Sequence, residues 1–289
     1  MVLIGCGQLT WNNVSPELVM RQIADAGYDG APASIGSDQP ATEVVAWFGS
    51  YGLKPAPPYF SAMWWDPNQA DEILARAPDI ARRVRALGLT DLYVAADGSA
   101  AVNGAGKTRA DLAGKVGPDD RLSEEEFGIF GDVLGRFAAA TQAEGVTSCF
   151  HNHVGTVIET AAELDTLLDH VSGDDLGLGL DTGHIAWAGD NATDVCLRYL
   201  DRIRTLHLKD VNGNVRQQGV EADWSYRQFA EAGIFAELRE GIVDFPAILT
   251  ALSERGFYGW LIVETDITMK PSAYESAKIS RDYLTSIGY

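Results

Sequence analysis

The stretch Leu176-Gly-Leu-Gly-Leu180-Asp181-Thr182-Gly183-His184 joins an apolar, strand-like run to a carboxylate and, three residues on, an imidazole. Two other stretches repeat the plan: Ile203 through His207-Leu208-Lys209-Asp210, and Trp260-Leu-Ile-Val-Glu264. Each places a metal-ligating group directly after an apolar run. In a (β/α)8 barrel the carboxyl ends of all strands open on one face, so residues far apart in sequence meet there around a single ion. Carboxylate oxygen and neutral imidazole nitrogen suit Mn2+, Mg2+, Co2+ or Zn2+.

Apolar runs at 2–6, 28–34, 54–60, 92–96 and 146–150 join 176–180, 203–208 and 261–263 to make eight strand candidates. Helical spacing follows Ser15-Pro16 up to Gly27, and recurs at 42–51, 69–87, 124–143, 161–171, 192–200, 245–255 and 272–287. Ser15 is an N-cap ahead of a first-turn proline, and Ser123 with Glu126 makes a capping box. This alternation predicts an α/β fold, a single (β/α)8 TIM barrel spanning 1–289 as one domain. Two long connections, 97–122 and 211–242, follow strands and belong on the catalytic face, as lids, partner contacts or disordered insertions. Gly104-Ala-Gly-Lys-Thr108 in the first is not a phosphate loop, because Ala101 stands where that pattern needs glycine.

Forty-one acidic against 22 basic side chains give a net charge of −19, which argues against nucleic acid and anionic membrane surfaces as partners. Cys6, Cys149 and Cys196 sit in apolar contexts, as buried free thiols of a reducing compartment would. Leu3-Ile-Gly-Cys6 lacks the basic and apolar regions of a signal peptide, and no run reaches the roughly 20 residues needed to span a bilayer. A cytoplasmic protein is expected.

Four of the five histidines, His151, His153, His184 and His207, fall at or just past strand ends. Together with Asp181 and Glu264 they predict a site rather than scattered surface residues. Asp181 reads alternatively as a helix N-cap, and His184 as a substrate contact or second-metal ligand. Lys209 is weighed as a catalytic group against a surface lysine, and Asp210 as an orienting group. Trp11, Trp64, Trp65 and Trp224 lie in loops expected to border the mouth, where Trp11 and Trp224 offer flat surfaces to a sugar ring.

These motifs resemble the xylose isomerase-like superfamily of sugar isomerases, epimerases and dehydratases, most nearly its inosose dehydratase-like members. The likeness rests on Phe150-His151-Asn152-His153-Val154-Gly155-Thr156, Asp181-Thr-Gly-His184 with Ala188-Gly-Asp190, Arg202 to Asp210, Gly241-Ile-Val-Asp244-Phe245, and Gly259-Trp260 to Glu264. It covers most of the chain and is specific from about residue 146 onward. The resemblance implies one divalent ion, Mn2+ foremost, held by Asp181, His207, Glu264 and a fourth ligand near residue 150. Many relatives carry Glu where this chain has His151. Either His151 binds the metal or Glu159 reaches back to it, which leaves His151 or His153 as the acid-base group.

The implied chemistry is proton abstraction beside a carbonyl, with loss of a β-substituent. The first expectation is a metal-dependent lyase acting on a keto-cyclitol or keto-sugar. A C-glycoside deglycosidase catalytic subunit, with a small β-rich partner subunit, is the runner-up. A keto-sugar epimerase lacks the carboxylate that many relatives carry where the second strand here ends Ala31-Pro32-Ala33. An endonuclease IV-like nuclease conflicts with the acidic charge, a non-catalytic barrel should have lost a ligand, and barrels of this type often form oligomers.

Overall fold

Short apolar strands alternate with amphipathic helices along the chain, and the strands wind into a parallel ring. The computed structural model describes residues 1–171 and 175–289. Its strands are β1 (Val2–Cys6), β2 (Gly30–Pro32), β3 (Lys54–Ala56), β4 (Tyr59–Ala62), β5 (Asp91–Ala96), β6 (Thr147–His151), β7 (Leu176–Asp181) and β8 (Ile203–Leu208). The short β9 (Asp210–Val211) and β10 (Phe235–Ala236) form a separate antiparallel pair, and β11 (Gly259–Val263) returns to the ring. The first strand lies in parallel between β11 and β2, and the order then runs through β8, β7, β6 and β5 to β4.

The expected third strand, 54–60, is observed as two halves. β3 pairs with β2, and β4 pairs with β5. Pro57 and Pro58 between them carry no N–H for a ladder, so the chain bends there and gives each neighbour one half. Eight strands remain when the halves are counted as one, and the ring closes through the prolines' covalent link.

Helices α1 (Pro16–Ala26), α2 (Ala41–Ser50), α3 (Ala70–Ala86), α4 (Glu124–Ala143), α5 (Ala161–His170), α6 (Thr182–Ala188), α7 (Ala192–Arg198), α8 (Gly213–Glu221), α9 (Tyr226–Glu231), α10 (Phe245–Glu254) and α11 (Ala273–Ser286) complete the fold. The caps read from sequence are present: Ser15 accepts from Leu18 N–H, and Ser123 and Glu126 cap each other. Gly27 ends α1 in the left-handed conformation, at φ 93°. Among the described residues no helix is long and apolar enough to cross a membrane. Cys6, Cys149 and Cys196 are buried and free.

Strand alternation divides the core in two. Leu176, Leu178 and Leu180 of β7 pack outward in the main core, while Leu3, Ala56, Tyr93, Trp260 and Ile262 form a second cluster inside the barrel. A Cβ on Gly179 would come within 2.5 Å of the Tyr93 ring, so glycine there makes room for the tyrosine, whose hydroxyl bonds Thr205. The inward face of β7 is therefore small until Asp181.

The two long connections are built structure rather than loose insertions. The 211–242 segment holds β9, α8, α9 and β10, and it is tied to the 97–122 segment by Tyr226 N–H to Ala110 O at 2.8 Å and Lys115 Nζ to Trp224 O at 2.7 Å. Arg109, 3% exposed, extends this layer to the loop after β6: it donates to Thr156 O at 2.7 Å, Asp120 O at 3.0 Å and the buried Glu163 carboxylate at 2.9 Å. Glu163 also accepts from Glu159 N–H at 3.0 Å and Thr160 N–H at 2.9 Å. Glu159 in turn accepts from Gly114 N–H and Gly155 N–H, both at 2.7 Å.

Removing one partner of a buried pair strands the other charge, at a cost of about 3–5 kcal/mol. Arg109→Ala is expected to lose stability on that scale in urea unfolding, whereas breaking the exposed Lys107–Asp223 pair should change it by less than about 1 kcal/mol. Burial pushes the Glu159 carboxyl up to about 7, against the hydrogen bonds from Gly155 and Gly114. The folded chain then holds a proton that the unfolded chain has released, so this group's contribution falls as pH rises from about 4.5 to about 7, by on the order of 3 kcal/mol. Unfolding at pH 5 and pH 8 should show Glu159→Gln costing less at the higher pH; an equal cost at both would refute the assignment.

Candidate active site

Asp181 ends β7 and begins α6, and its two oxygens do different work. Oδ1 accepts the His184 N–H at 2.9 Å and caps the helix. Oδ2 is buried with no hydrogen bond of its own, and four nitrogens surround it: Lys209 Nζ at 3.3 Å, His207 Nδ1 at 3.7 Å, His184 Nε2 at 3.9 Å and His151 Nε2 at 4.0 Å. The capping and ligand readings of Asp181 are thus compatible. His151 closes β6 and His207 lies one residue before the end of β8. Glu264 follows β11, and its Oε2 is 3.2 Å from His207 Nδ1.

Protonation follows from these contacts. His151 donates through Nδ1 to Gly179 O at 2.9 Å, which leaves the Nε2 lone pair facing Asp181. Burial and the adjacent His207 pull its pKa down to about 3, so the ring is neutral. Burial opposes charge on His207 as well, but Glu264 and Asp181 outweigh it and push the pKa up to about 9. Burial works against the Glu264 and Asp181 carboxylates too, yet Lys209 beside them holds both well below the usual range.

Lys209 is 1% exposed, which excludes the surface-lysine reading. Two residues past His207, it stays on the inward side of the strand direction. Gly183 makes this possible, because a Cβ there would meet Lys209 Cγ at 2.5 Å. Its ammonium reaches Asp266 Oδ1 at 2.9 Å, Glu264 Oε2 at 3.1 Å and His184 Nε2 at 3.1 Å. Burial pushes the Asp266 carboxyl up, while Lys209 pulls against that shift. Asp210 is the orienting group that sequence anticipated: its carboxylate accepts from Val211, Val243, Arg239 and Gly241 N–H and so secures the segment before α10.

Several expected positions differ. Glu159 is not in the cluster, because its two oxygens are taken by Gly114 and Gly155 in the loop layer. β6 extends one residue beyond the expected end, which gives His151 the inward place. Trp11 is buried, with its indole N–H on Gln22 of α1, and Trp224 packs on Phe229 at 5.7 Å. Trp64 and Trp65 are buried as well; the Trp64 indole donates to Ala95 O and its ring lies among Phe60, Phe130 and Phe137. The aromatic rings that line the cavity are instead Tyr59 and, from inside the barrel, Tyr93. Asp266, two residues past Glu264, is a member that the sequence reading missed.

A cavity of about 410 Å3 opens above this cluster. His151, His153, His207 and Glu264 line it together with Gln8, Leu9, Pro32, Pro57, Tyr59 and Tyr93. The His153 ring lies 3.7 Å from that of His184, which is fully buried and stands behind it. His153 donates through Nδ1 to Val154 O at 2.7 Å, and burial with the nearby Lys209 lowers its pKa.

His151, Asp181 and His207 bring one donor atom each within 4.8 Å of one another, with Glu264 beside His207. Asp181 Oδ2, ion-paired to Lys209, and His207 Nε2 are buried polar atoms that make no hydrogen bond, and two imidazoles with carboxylate oxygen suit a divalent transition ion. These residues fit the metal that the resemblance implies.

Comparison with known proteins agrees with the barrel. Over 92% of its length the chain is 30% identical to a rhizopine catabolism protein, MocC, of Rhizobium meliloti, 82% of which is covered. Over 97% of its length it is 27% identical to an inosose dehydratase of Geobacillus kaustophilus, 93% of which is covered. Among solved structures, the zinc-bound IolI protein superposes with a TM-score of 0.71 at 17% identity, covering 99% of this chain and 97% of that one. A probable 3-DHS dehydratase, AsbF, of Bacillus anthracis gives 0.71 at 14%, covering 98% of each, and these structural likenesses speak for the fold alone. The family model described as xylose isomerase-like TIM barrel matches residues 20–285, and the chain belongs to that family.

Proposed function

We propose that the protein is a divalent-metal-dependent lyase that acts on a keto-cyclitol or keto-sugar by removing an α proton and expelling a β-hydroxyl as water. The carrying observation is that His151, Asp181 and His207 bring donor atoms within 4.8 Å of one another with Glu264 beside His207, and that His151, His207, Glu264 and His153 line one cavity. A relative named inosose dehydratase, similar over 97% of this chain, supports the same reading.

His151, Asp181, His207 and Glu264 would hold the ion. When bound it would polarise a substrate carbonyl and acidify the neighbouring C–H. His153 is the base: its Nδ1 proton is committed to Val154 O, so Nε2 carries the free lone pair, and its lowered pKa keeps it unprotonated at neutral pH. The α C–H proton passes to Nε2, the C–H electrons form a C=C bond, and the β C–O bond breaks. The leaving hydroxide takes the proton from the imidazolium and departs as water. Elimination suits this cavity better than epimerisation, which needs an acid-base group on each face of the substrate. Beyond the histidines and Glu264, the lining offers only the Tyr59 and Tyr93 phenols, whose pKa values burial raises, and the Tyr93 hydroxyl is already bonded to Thr205.

Two expectations test the assignment. His207→Ala and Glu264→Ala should emerge from dialysis against Mn2+ without stoichiometric metal, by elemental analysis, while Glu159→Gln retains it; metal lost by Glu159→Gln alone would reverse the ligand choice. His153→Gln should keep its metal yet lose about 10²–10⁴-fold in kcat on inosose, and lose incorporation of solvent deuterium at the α carbon by NMR.

A further inference from the structure

The environment of Lys209 is one that elsewhere would hold a metal ion. Asp266 Oδ1, Glu264 Oε2, His184 Nε2 and Asp181 Oδ2 surround its ammonium at 2.9, 3.1, 3.1 and 3.3 Å. Two of those residues also belong to a second metal-competent trio, His153, His184 and Asp266, whose donor atoms lie within 4.8 Å of one another. The ammonium sits against this trio and between it and the His151–Asp181–His207 group. Gly183 provides room for its stem, and the Phe235 ring lies 5.5 Å from Nζ.

Charge counting gives the consequence. Were an ion bound, His207 would give up its proton to coordinate it, and the carboxylates of Asp181, Glu264 and Asp266 against the Lys209 ammonium would leave two negative charges. One divalent cation cancels them. A second would leave two buried positive charges without partners, and it would lie beside the ammonium in a water-poor site, where like-charge repulsion is large. We propose that Lys209 stands in the place of a second metal ion, so that the centre takes a single divalent cation and His153 stays outside its coordination as a free base.

The inference rests on the metal-centred reading of the site and extends it to stoichiometry. Chelator-stripped protein is dialysed against excess Mn2+, and bound metal per chain is read by elemental analysis, with the electron paramagnetic resonance spectrum distinguishing an isolated ion from a coupled pair. Wild type and Lys209→Arg should bind one ion. Lys209→Ala should bind two and show spin coupling, and adding Asp266→Ala to it should return the count to one. Two ions in wild type, or one in folded Lys209→Ala, overturn the inference while leaving the metal site itself intact. No ion in wild type overturns both. If Lys209→Ala fails to fold by circular dichroism, Lys209→Ser is measured by the same criteria.

Discussion

Burying several carboxylates at the mouth of one barrel is the constraint around which the molecule is arranged. Asp181 is wholly enclosed, and Glu264 and Asp266 are nearly so. An ionised carboxylate removed from water is tolerated only when cations or hydrogen-bond donors take the place of the lost hydration. Here Lys209 and the imidazoles supply that compensation, and the strand register delivers them to the same depth. Even the small residues serve it: glycine at 183 leaves the channel through which the lysine stem passes.

The layer above answers the same need. Arg109, Glu163 and Glu159 fasten the segments after β5 and β6 to each other, Tyr226 and Lys115 tie in the segment after β8, and the His153 loop is held by Glu159 at Gly155 and Arg109 at Thr156. A base on a loop works only if that loop is rigid to within a fraction of an ångström. The ion pair that stabilises the cover also fixes where His153 can stand.

Much of this was legible in the sequence, because strand periodicity and strand ends carry it. Leu176-Gly-Leu-Gly-Leu-Asp181 gives both the strand and its terminal carboxylate, whereas 54–60 read as one strand because apolar pattern alone does not register the two missing N–H groups at Pro57 and Pro58. The rest depended on information that local pattern lacks. His151 against Glu159 turned on a single residue of strand length. Asp181 read as cap or ligand because a residue name does not say that each oxygen takes a separate partner. Asp266 lies outside any periodic run and is brought in only by the bend after β11. A tryptophan in a strand-following loop reads the same whether it lines a mouth or packs beneath it, and Trp11, Trp64 and Trp224 all pack. Helices α6 and α9 are short, and α8 carries only Val215 and Val220 as apolar side chains, so helical spacing does not set them apart from loop, although Ser225 and Gln228 carry a capping signature.

The broken third strand also bears on how the barrel breathes. At Pro57-Pro58 no backbone N–H exists to cross to either side, so β3 pairs only with β2 and β4 only with β5. Bonds from Ala33 N–H to Ala56 O and from Tyr93 N–H to Pro58 O flank this gap. A cylinder opens where its seam is weakest, and Pro57 is itself part of the cavity wall. The gap in the ladder therefore lies in the wall of the space where substrate would lie, so substrate would meet a stretch of that wall whose backbone has no N–H to offer.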